Sequence, residues 1–192
     1  MTQSTQPVQS AVATIPGYKA GTWTIDQVHS EVGFTVRHMM VSKVRGRFGA
    51  FSGQIVTGET PVQSSVTAEI DLTSIDTNND QRDEHIRSAD FFEVETYPTM
   101  TYASAGIRED GDGFILDGEL TLKGVTKDVE LALELNGFGP DAYGGTRAGF
   151  TAIAEINRRD FGVNFTAVME TGGAVVSDKV TIQLEIEAVL QP

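Results

Sequence analysis

Val180-Thr181-Ile182-Gln183-Leu184-Glu185-Ile186-Glu187-Ala188 is the stretch that decides the fold class. Its odd members are polar and its even members apolar, the period of two that an extended strand needs to wet one face and bury the other. The same alternation recurs upstream. Val129, Leu131, Leu133 and Leu135 share one face, and Leu116, Gly118, Leu120 and Leu122 another. Val66, Ala68, Ile70 and Leu72 do the same, as do Phe150, Ala152, Ala154 and Ile156, and Val32, Phe34, Val36 and His38. Residues 45–57 and 99–108 are weaker strands, and the glycines at 46, 49 and 53 mark places where a sheet bends sharply. Gly111-Asp112-Gly113, Gly124-Val125-Thr126 and the glycine-rich run Asn136–Gly145 supply hairpin turns. About eight strands of roughly 30 Å each, at ~3.4 Å per residue, must close on their apolar faces.

The expected architecture is therefore all-β: an eight-stranded antiparallel lipocalin-like barrel spanning 21–192, behind an N-terminal tail, 1–20. One stretch breaks the period. Residues 78–88 (NNDQRDEHIRS) are polar, open on Asn, and predict one short surface helix near 79–88. In the tail, Val8, Ala11, Val12 and Ile15 fall at helical spacing between Pro7 and Pro16. A segment so short is helical only if the barrel packs against it. Inward positions of the strands give the expected lining: Phe34, Val36, His38, Phe48, Ile70, Leu72, Met100, Leu120, Leu122, Leu131, Leu133, Phe150, Ala152, Ile182, Leu184 and Ile186.

Composition narrows the function. Across 192 residues, 27 acids against 14 bases give a net charge of −13. That repels nucleic acid, and it opposes docking on anionic lipid through a general basic face. With no cysteine there is neither a disulfide nor a thiolate metal site. No apolar run is long enough to span a bilayer, so no stable membrane anchor is expected. The first 18 residues hold no cation and no continuous apolar core, which does not read as a secretory signal and points to a cytoplasmic address.

Candidates for chemistry are few. His29, His38 and His85 sit on different elements, without the spacing that converges on a metal. Neither a metal nor a cofactor is expected. Asp26, His29 and Ser30 are too close in sequence to form a catalytic triad around the imidazole. Glu93/Glu95 and Asp110/Asp112 read as solvated turn charges. Residues 137–145 open no helix and so cradle no phosphate; they read as a long hairpin loop with Phe138 and Tyr143 at a portal. His38 points inward, either as a satisfied core histidine or as a polar anchor for a ligand. The stretch Arg37–Arg47 carries Arg37, Lys43, Arg45 and Arg47 with no acid. These are either outward strand positions or an anion site at one mouth, beside Met39-Met40-Val41.

Several motifs in a fixed order resemble the YceI-like family of polyisoprenoid-binding proteins. They begin with Trp23-Thr-Ile-Asp26-Gln-Val-His29-Ser30, Val32-Gly-Phe34-Thr-Val36-Arg37-His38 and Gly46-Arg-Phe48. They continue through Arg82-Asp83-Glu84-His85-Ile-Arg87-Ser88-Ala-Asp90-Phe91-Phe92, Tyr97-Pro98 and Leu120-Thr-Leu122-Lys-Gly124-Val-Thr126. Asn157-Arg158-Arg159-Asp160-Phe161-Gly162 and Glu170-Thr-Gly172-Gly173 complete them, over about residues 21–190. The resemblance implies an eight-stranded barrel around an elongated apolar cavity. It implies a bound isoprenoid lipid, such as a polyprenyl phosphate or a quinone tail, and does not imply an enzyme. All three histidines fall on family motif positions. Family members often carry a signal peptide, which this chain does not show.

Three functions compete on the sequence. The first is a carrier or sequestering protein for a long-chain isoprenoid lipid, catalysing nothing. The second is a hydrolase or isomerase at the barrel mouth that uses His38 or His85 as base. The third is a solid-core structural protein. Oligomeric state, a homodimer included, stays open.

Overall fold

The structure, a computed structural model, describes residues 15–167 and 175–192. Its strands are β1 (Gly21–Ile25), β2 (Glu31–His38), β3 (Ser42–Phe48), β4 (Phe51–Thr57), β5 (Ser65–Asp71) and β6 (Ile75–Asp76), followed by helix α1 (Asp80–Arg87). Then come β7 (Thr99–Asp110), β8 (Gly113–Leu122), β9 (Val125–Pro140), β10 (Thr146–Asn157) and β11 (Val176–Leu190). Strands β1-β4-β5-β7-β8-β9-β10-β11 form a ring that the β1–β11 pairing closes. Every ladder is antiparallel. The remaining three strands prolong walls of that ring. Where β1 leaves β11 at Ile25↔Ala188, β2 takes over at Glu31↔Glu185. Likewise β3 runs into β4 across Gly49-Ala50, and β5 into β6 across a 3-10 turn, Leu72–Ser74. The result is the expected eight-walled barrel, with three adjacent walls kinked. Segment 45–57, expected as one bent strand, is the end of β3 plus β4.

Alternation fixes which side chains face inward. Leu116, Leu120, Leu122, Val129, Leu131, Ala152 and Ala154 are buried, and register sets Ala152 opposite Leu184 and Ala154 opposite Ile182. Glycine makes room where two aromatics cross the lumen. A Cβ on Gly46 would stand 2.4 Å from the Phe34 ring, and one on Gly118 would stand 2.4 Å from the Tyr102 hydroxyl.

The end where the chain enters is sealed. Trp23 is fully buried and donates from Nε1 to Thr57 Oγ1 at 2.8 Å. Phe138 meets Trp23, Tyr18 and Phe150 edge to face, at 5.6, 5.2 and 6.0 Å between centroids. This corrects the reading of Asn136–Gly145 as a loop, since β9 continues to Pro140 and only 141–145 turn. A bulge opposite Gly149/Phe150 shifts the register by one, which carries Phe138 inside while Tyr143 stays 92% exposed. From Ile15 onward the tail packs on the barrel, with the Tyr18 hydroxyl donating to Gly58 O at 2.9 Å. The spaced residues Val8, Ala11 and Val12 lie outside the described residues.

Helix α1 stands over the opposite end. Asn79 caps it, its side chain accepting from Arg82 N at 2.9 Å, which bears out the expected helix start. Buried Asp83 accepts from Thr77 N at 3.0 Å, and Arg87 donates to Thr73 O and Ile75 O, both at 2.9 Å. A polar helix of this length would not persist alone; these bonds fasten it to β6. No helix among the described residues is long and apolar enough to cross a membrane.

Candidate functional site

An elongated cavity of about 430 Å³ runs the length of the barrel, from Tyr18 at the sealed end to His38 and His85 beneath α1. Its wall is overwhelmingly hydrocarbon. Phe34, Val36, His38, Phe48, Ile70, Met100, Leu120, Leu122, Leu131, Leu133, Phe150, Ala152, Ile182, Leu184 and Ile186 all face it. Leu72, expected among them, does not. Asp71 accepts from Thr73 N at 2.8 Å and turns the chain out of strand register. Leu72 is thereby packed, fully buried, into the core.

Charge is confined to one end. The charge-bearing lining residues, His38, Arg82, His85 and Arg158, all lie at the α1 end. Arg158 is nearly buried and committed to structure, donating to Val163 O (2.7 Å), Ser177 O (3.0 Å) and Asp178 (3.0 Å). Burial pulls its pKa below the ordinary guanidinium value. Arg82 is exposed, its Nε held by Thr77 Oγ1 at 2.7 Å and its Nη2 by Thr77 O at 2.6 Å. The His85 ring donates from Nε2 to the Asp90 carboxylate at 2.7 Å and stacks edge-on against Phe91 and Phe165, at 5.2 and 5.0 Å. Phe91 and Phe165 are 4.9 Å apart. The α1 end is thus a mouth framed by two aromatic rings, two imidazoles and one anchored guanidinium.

Both histidines offered as bases are here. Among the described residues, the His38 side chain has no hydrogen-bond partner, and only Asp90 bonds to the His85 ring. A base needs an orienting group, which Asp90 supplies to His85 and which His38 lacks. His29 lies elsewhere, outside the kink between β1 and β2. Its Nδ1 is 2.8 Å from Asp26, while Ser30 Oγ bonds to Glu187 O, away from the imidazole. Asp26, His29 and Glu187 converge closely enough to suggest a cation site, but the guanidinium of Arg147 already fills it. Its Nη1 is 2.7 Å from Asp26 and also bonds to Glu187, and its Nε reaches Asp141 at 3.3 Å. Arg147 first, and His29 second, hold the Asp26 carboxyl well below the usual carboxylate range.

Arg37, Lys43, Arg45 and Arg47 do not meet the cavity. On β2 and β3 they alternate with the inward residues Val36, His38, Val44, Gly46 and Phe48, so the pleat sends them outward. Arg37, Lys43 and Arg45 border a groove on the outer wall, and Arg47 pairs with Asp76 at 2.9 Å. The anion site expected from them at the mouth is therefore corrected: of the guanidinium groups that line the mouth, Arg82 comes from α1 and Arg158 is committed to structure. The sequence reading met Arg82 and Phe91 only within a family motif and gave no site role to them, to Phe165 or to Tyr18, because none of the four lies on an alternating strand.

The model of the YceI-like domain matches residues 23–188. The chain belongs to that family. Protein YceI of Escherichia coli is 38% identical over 164 residues, covering 85% of this chain and 83% of the relative. A UPF0312 protein of Pseudomonas aeruginosa is 37% identical over 185 residues, covering 95% and 94%. Among solved structures, the Campylobacter jejuni YCEI protein aligns with a TM-score of 0.69 at 26% identity, over 100% of both chains. Burkholderia cenocepacia BcnA aligns at 0.73 and 24% identity, over 85% of this chain and 98% of its own. A polyisoprenoid binding domain from Saccharophagus degradans aligns at 0.67 and 19% identity, over 90% and 100%. All three share the overall fold seen here.

Proposed function

We propose that this YceI-like protein binds one long-chain amphiphilic lipid in the barrel and carries, stores or sequesters it unchanged. An isoprenoid quinone or a polyprenyl phosphate is the favoured ligand. The observation that carries the reading is the division of the cavity: hydrocarbon for most of its length, with charge only at the α1 end. A slender tail is rewarded along its whole length, at about 0.8 kcal/mol per buried methylene before ordering costs. Few hydrogen bonds are available inside to reject a wrong head, so the pocket selects tails more than heads. Arg82, His85 and the Phe91–Phe165 pair would receive the head. The isoprenoid class is supported by the family and by the stated ligand class of the Saccharophagus relative.

Native mass spectrometry of freshly purified protein, followed by organic extraction, tests this directly. A long-chain lipid should accompany the protein and be recovered chemically intact, with isoprenoids displacing fatty acyl compounds in competition. If nothing is extracted, and added prenyl lipids neither bind nor raise the Tm, the carrier reading fails. Recovery of a converted product instead would favour the enzyme reading at His85.

A further inference from the structure

The hairpin between β2 and β3 goes against local preference in three ways. Met39 and Met40 have φ of 49° and 60°, a left-handed turn geometry that Asn and Gly satisfy most readily. Met39, Met40 and Val41 are nonetheless large and apolar, with exposures of 42%, 58% and 84%. Register then sets Arg37 directly opposite Lys43, with Arg45 two pairs inward across from Thr35. Like charges facing across a ladder destabilise it. Among the described residues no carboxylate pairs with Arg37, Lys43 or Arg45, although neighbouring Arg47 and Lys179 are each paired. Local rules broken together at an exposed tip point to a partner outside the fold.

We propose that this hairpin docks the protein on an anionic phospholipid bilayer, with Met39, Met40 and Val41 entering among the lipids and Arg37, Lys43 and Arg45 meeting headgroup phosphates. An apolar tip flanked by cations is the combination that holds a surface element at such an interface. The net charge of −13 repels the same bilayer from the rest of the molecule, so contact is confined to this one face and the protein is oriented by it. That orientation turns the cavity mouth toward the lipid, because His38, the last residue of β2, lines the cavity immediately beside the tip. The docking stands apart from the identity of the cavity's ligand and is tested without it.

The full chain is mixed with sucrose-loaded vesicles of phosphatidylcholine, with or without phosphatidylglycerol, and the bound fraction is read by sedimentation at low and high salt. The protein should bind the phosphatidylglycerol vesicles, bind phosphatidylcholine far more weakly, and release as salt rises. The triple variant Arg37→Gln, Lys43→Gln, Arg45→Gln should lose on the order of a hundredfold in partition, since each cation near an anionic surface contributes about fivefold. Met39→Ser with Met40→Ser and Val41→Ser should lose binding while keeping its far-UV circular dichroism. In Met40→Trp, emission of the added indole should shift to the blue on phosphatidylglycerol vesicles, against a constant background from buried Trp23. Indifference of the wild type to phosphatidylglycerol, wild-type binding by the charge variant, or no shift in Met40→Trp would overturn the proposal. So would a hairpin-dependent dimer in sedimentation velocity without vesicle binding, which would assign the patch to a second copy. Lipid recovered from the cavity of a protein that ignores vesicles would sink the docking alone, and an empty cavity in a protein that docks would sink only the carrier reading.

Discussion

Leu184 and Glu185 are chain neighbours on β11 whose side chains leave the sheet on opposite faces, and arginine at each should separate the two faces by energy. Leu184 faces the cavity, opposite Val32 on one side and Ala152 on the other. Its partner Val32 lies six residues along β2 from His38 at the mouth, about 20 Å at ~3.4 Å per residue, beyond the reach of a guanidinium toward water. Leu184→Arg loses roughly 1.5–3 kcal/mol of leucine burial and strands a charge whose lack of a partner costs about 3–5 kcal/mol more. Against a typical total of about 5–15 kcal/mol, the variant either fails to fold or melts at least roughly 10 °C lower. Glu185 accepts from Thr151 Oγ1 at 2.8 Å and stands directly opposite Glu31. Glu185→Arg loses one exposed hydrogen bond and replaces a like-charge cross-strand pair by an attractive one, terms of about 0.5–1 kcal/mol that nearly cancel. Thermal unfolding followed by circular dichroism, with lipid retention read by native mass spectrometry, should show the first variant crippled and the second within about 3 °C of wild type. Leu184→Gln supplies a milder inward probe that should still fold and lose lipid. Equal tolerance at 184 and 185 would refute the assignment of faces.

Gly46→Ala puts a methyl where the Phe34 ring now lies; the ring can yield only by moving, so Tm should fall by an overpacking cost of about 1–3 kcal/mol and lipid retention should drop with it. Phe34→Leu in the same chain should recover part of both, since the methyl would still stand 2.9 Å from buried Thr77 Cγ2, and a Gly46→Ala variant unchanged in both would show that the ring has slack. Arg147→Gln removes the group that most depresses the Asp26 pKa. A lowered carboxylate pKa stabilises fully above the unfolded value of about 4 and is lost as pH falls through the folded one, so the variant should melt below wild type at neutral pH and converge with it in acid. Parallel melting curves at all pH values would show that the cluster contributes no linkage. Arg82→Gln should weaken a prenyl phosphate more than the corresponding prenol in competition, whereas Lys43→Gln with Arg45→Gln should leave both unchanged, and the reverse ranking would return the head group to β3.

How far the sequence could be read depended on whether the chain was periodic. Val180–Ala188 and Val129–Leu135 state their inward and outward faces through alternation alone, and the walls follow from that. Alternation fails at two kinds of place. A bulge such as the one at Gly149/Phe150 reverses the faces without any polar marker, so Phe138 could be read as a portal residue when it is a plug. Glycine on both sides of it, at 137 and 139, made the segment look like a turn. The second kind is the short side-chain bond that takes a residue off the strand, as Asp71 does at Leu72. Such a bond depends on local geometry that a pattern of apolar positions does not encode. The basic run Arg37–Arg47 had an outward reading from its alternation, and the pleat decides for it.

The placement of the mouth follows from three interruptions that lie side by side. Residues 26–30, 49–50 and 72–74 break three successive walls, and hydrogen bonds join the breaks into one line. Gln27 Nε2 donates to Gly49 O at 2.5 Å, Gly49 N to Ser74 O at 3.1 Å, and Ala50 N to Ser74 Oγ at 3.0 Å. Below that line β4, β5 and β7 are laddered together and the ring is continuous. Above it β2, β3 and β6 are laddered, but the short β6 pairs with β3 alone, and among the described residues no ladder joins it to β7. Closure by backbone hydrogen bonds is therefore available at one end of the barrel and not at the other. The open sector has to be covered by side chains: α1, pinned to β6 through Asp83 and Arg87, brings Ile86 over it, and the turn that follows α1 brings Phe91 and Phe92. A wall made of side chains on a short helix can part at less cost than one made of ladder bonds, since few backbone bonds need to break. The same helix carries Arg82 and His85, so the groups able to hold a polar head stand on the part of the wall best able to move aside for a tail.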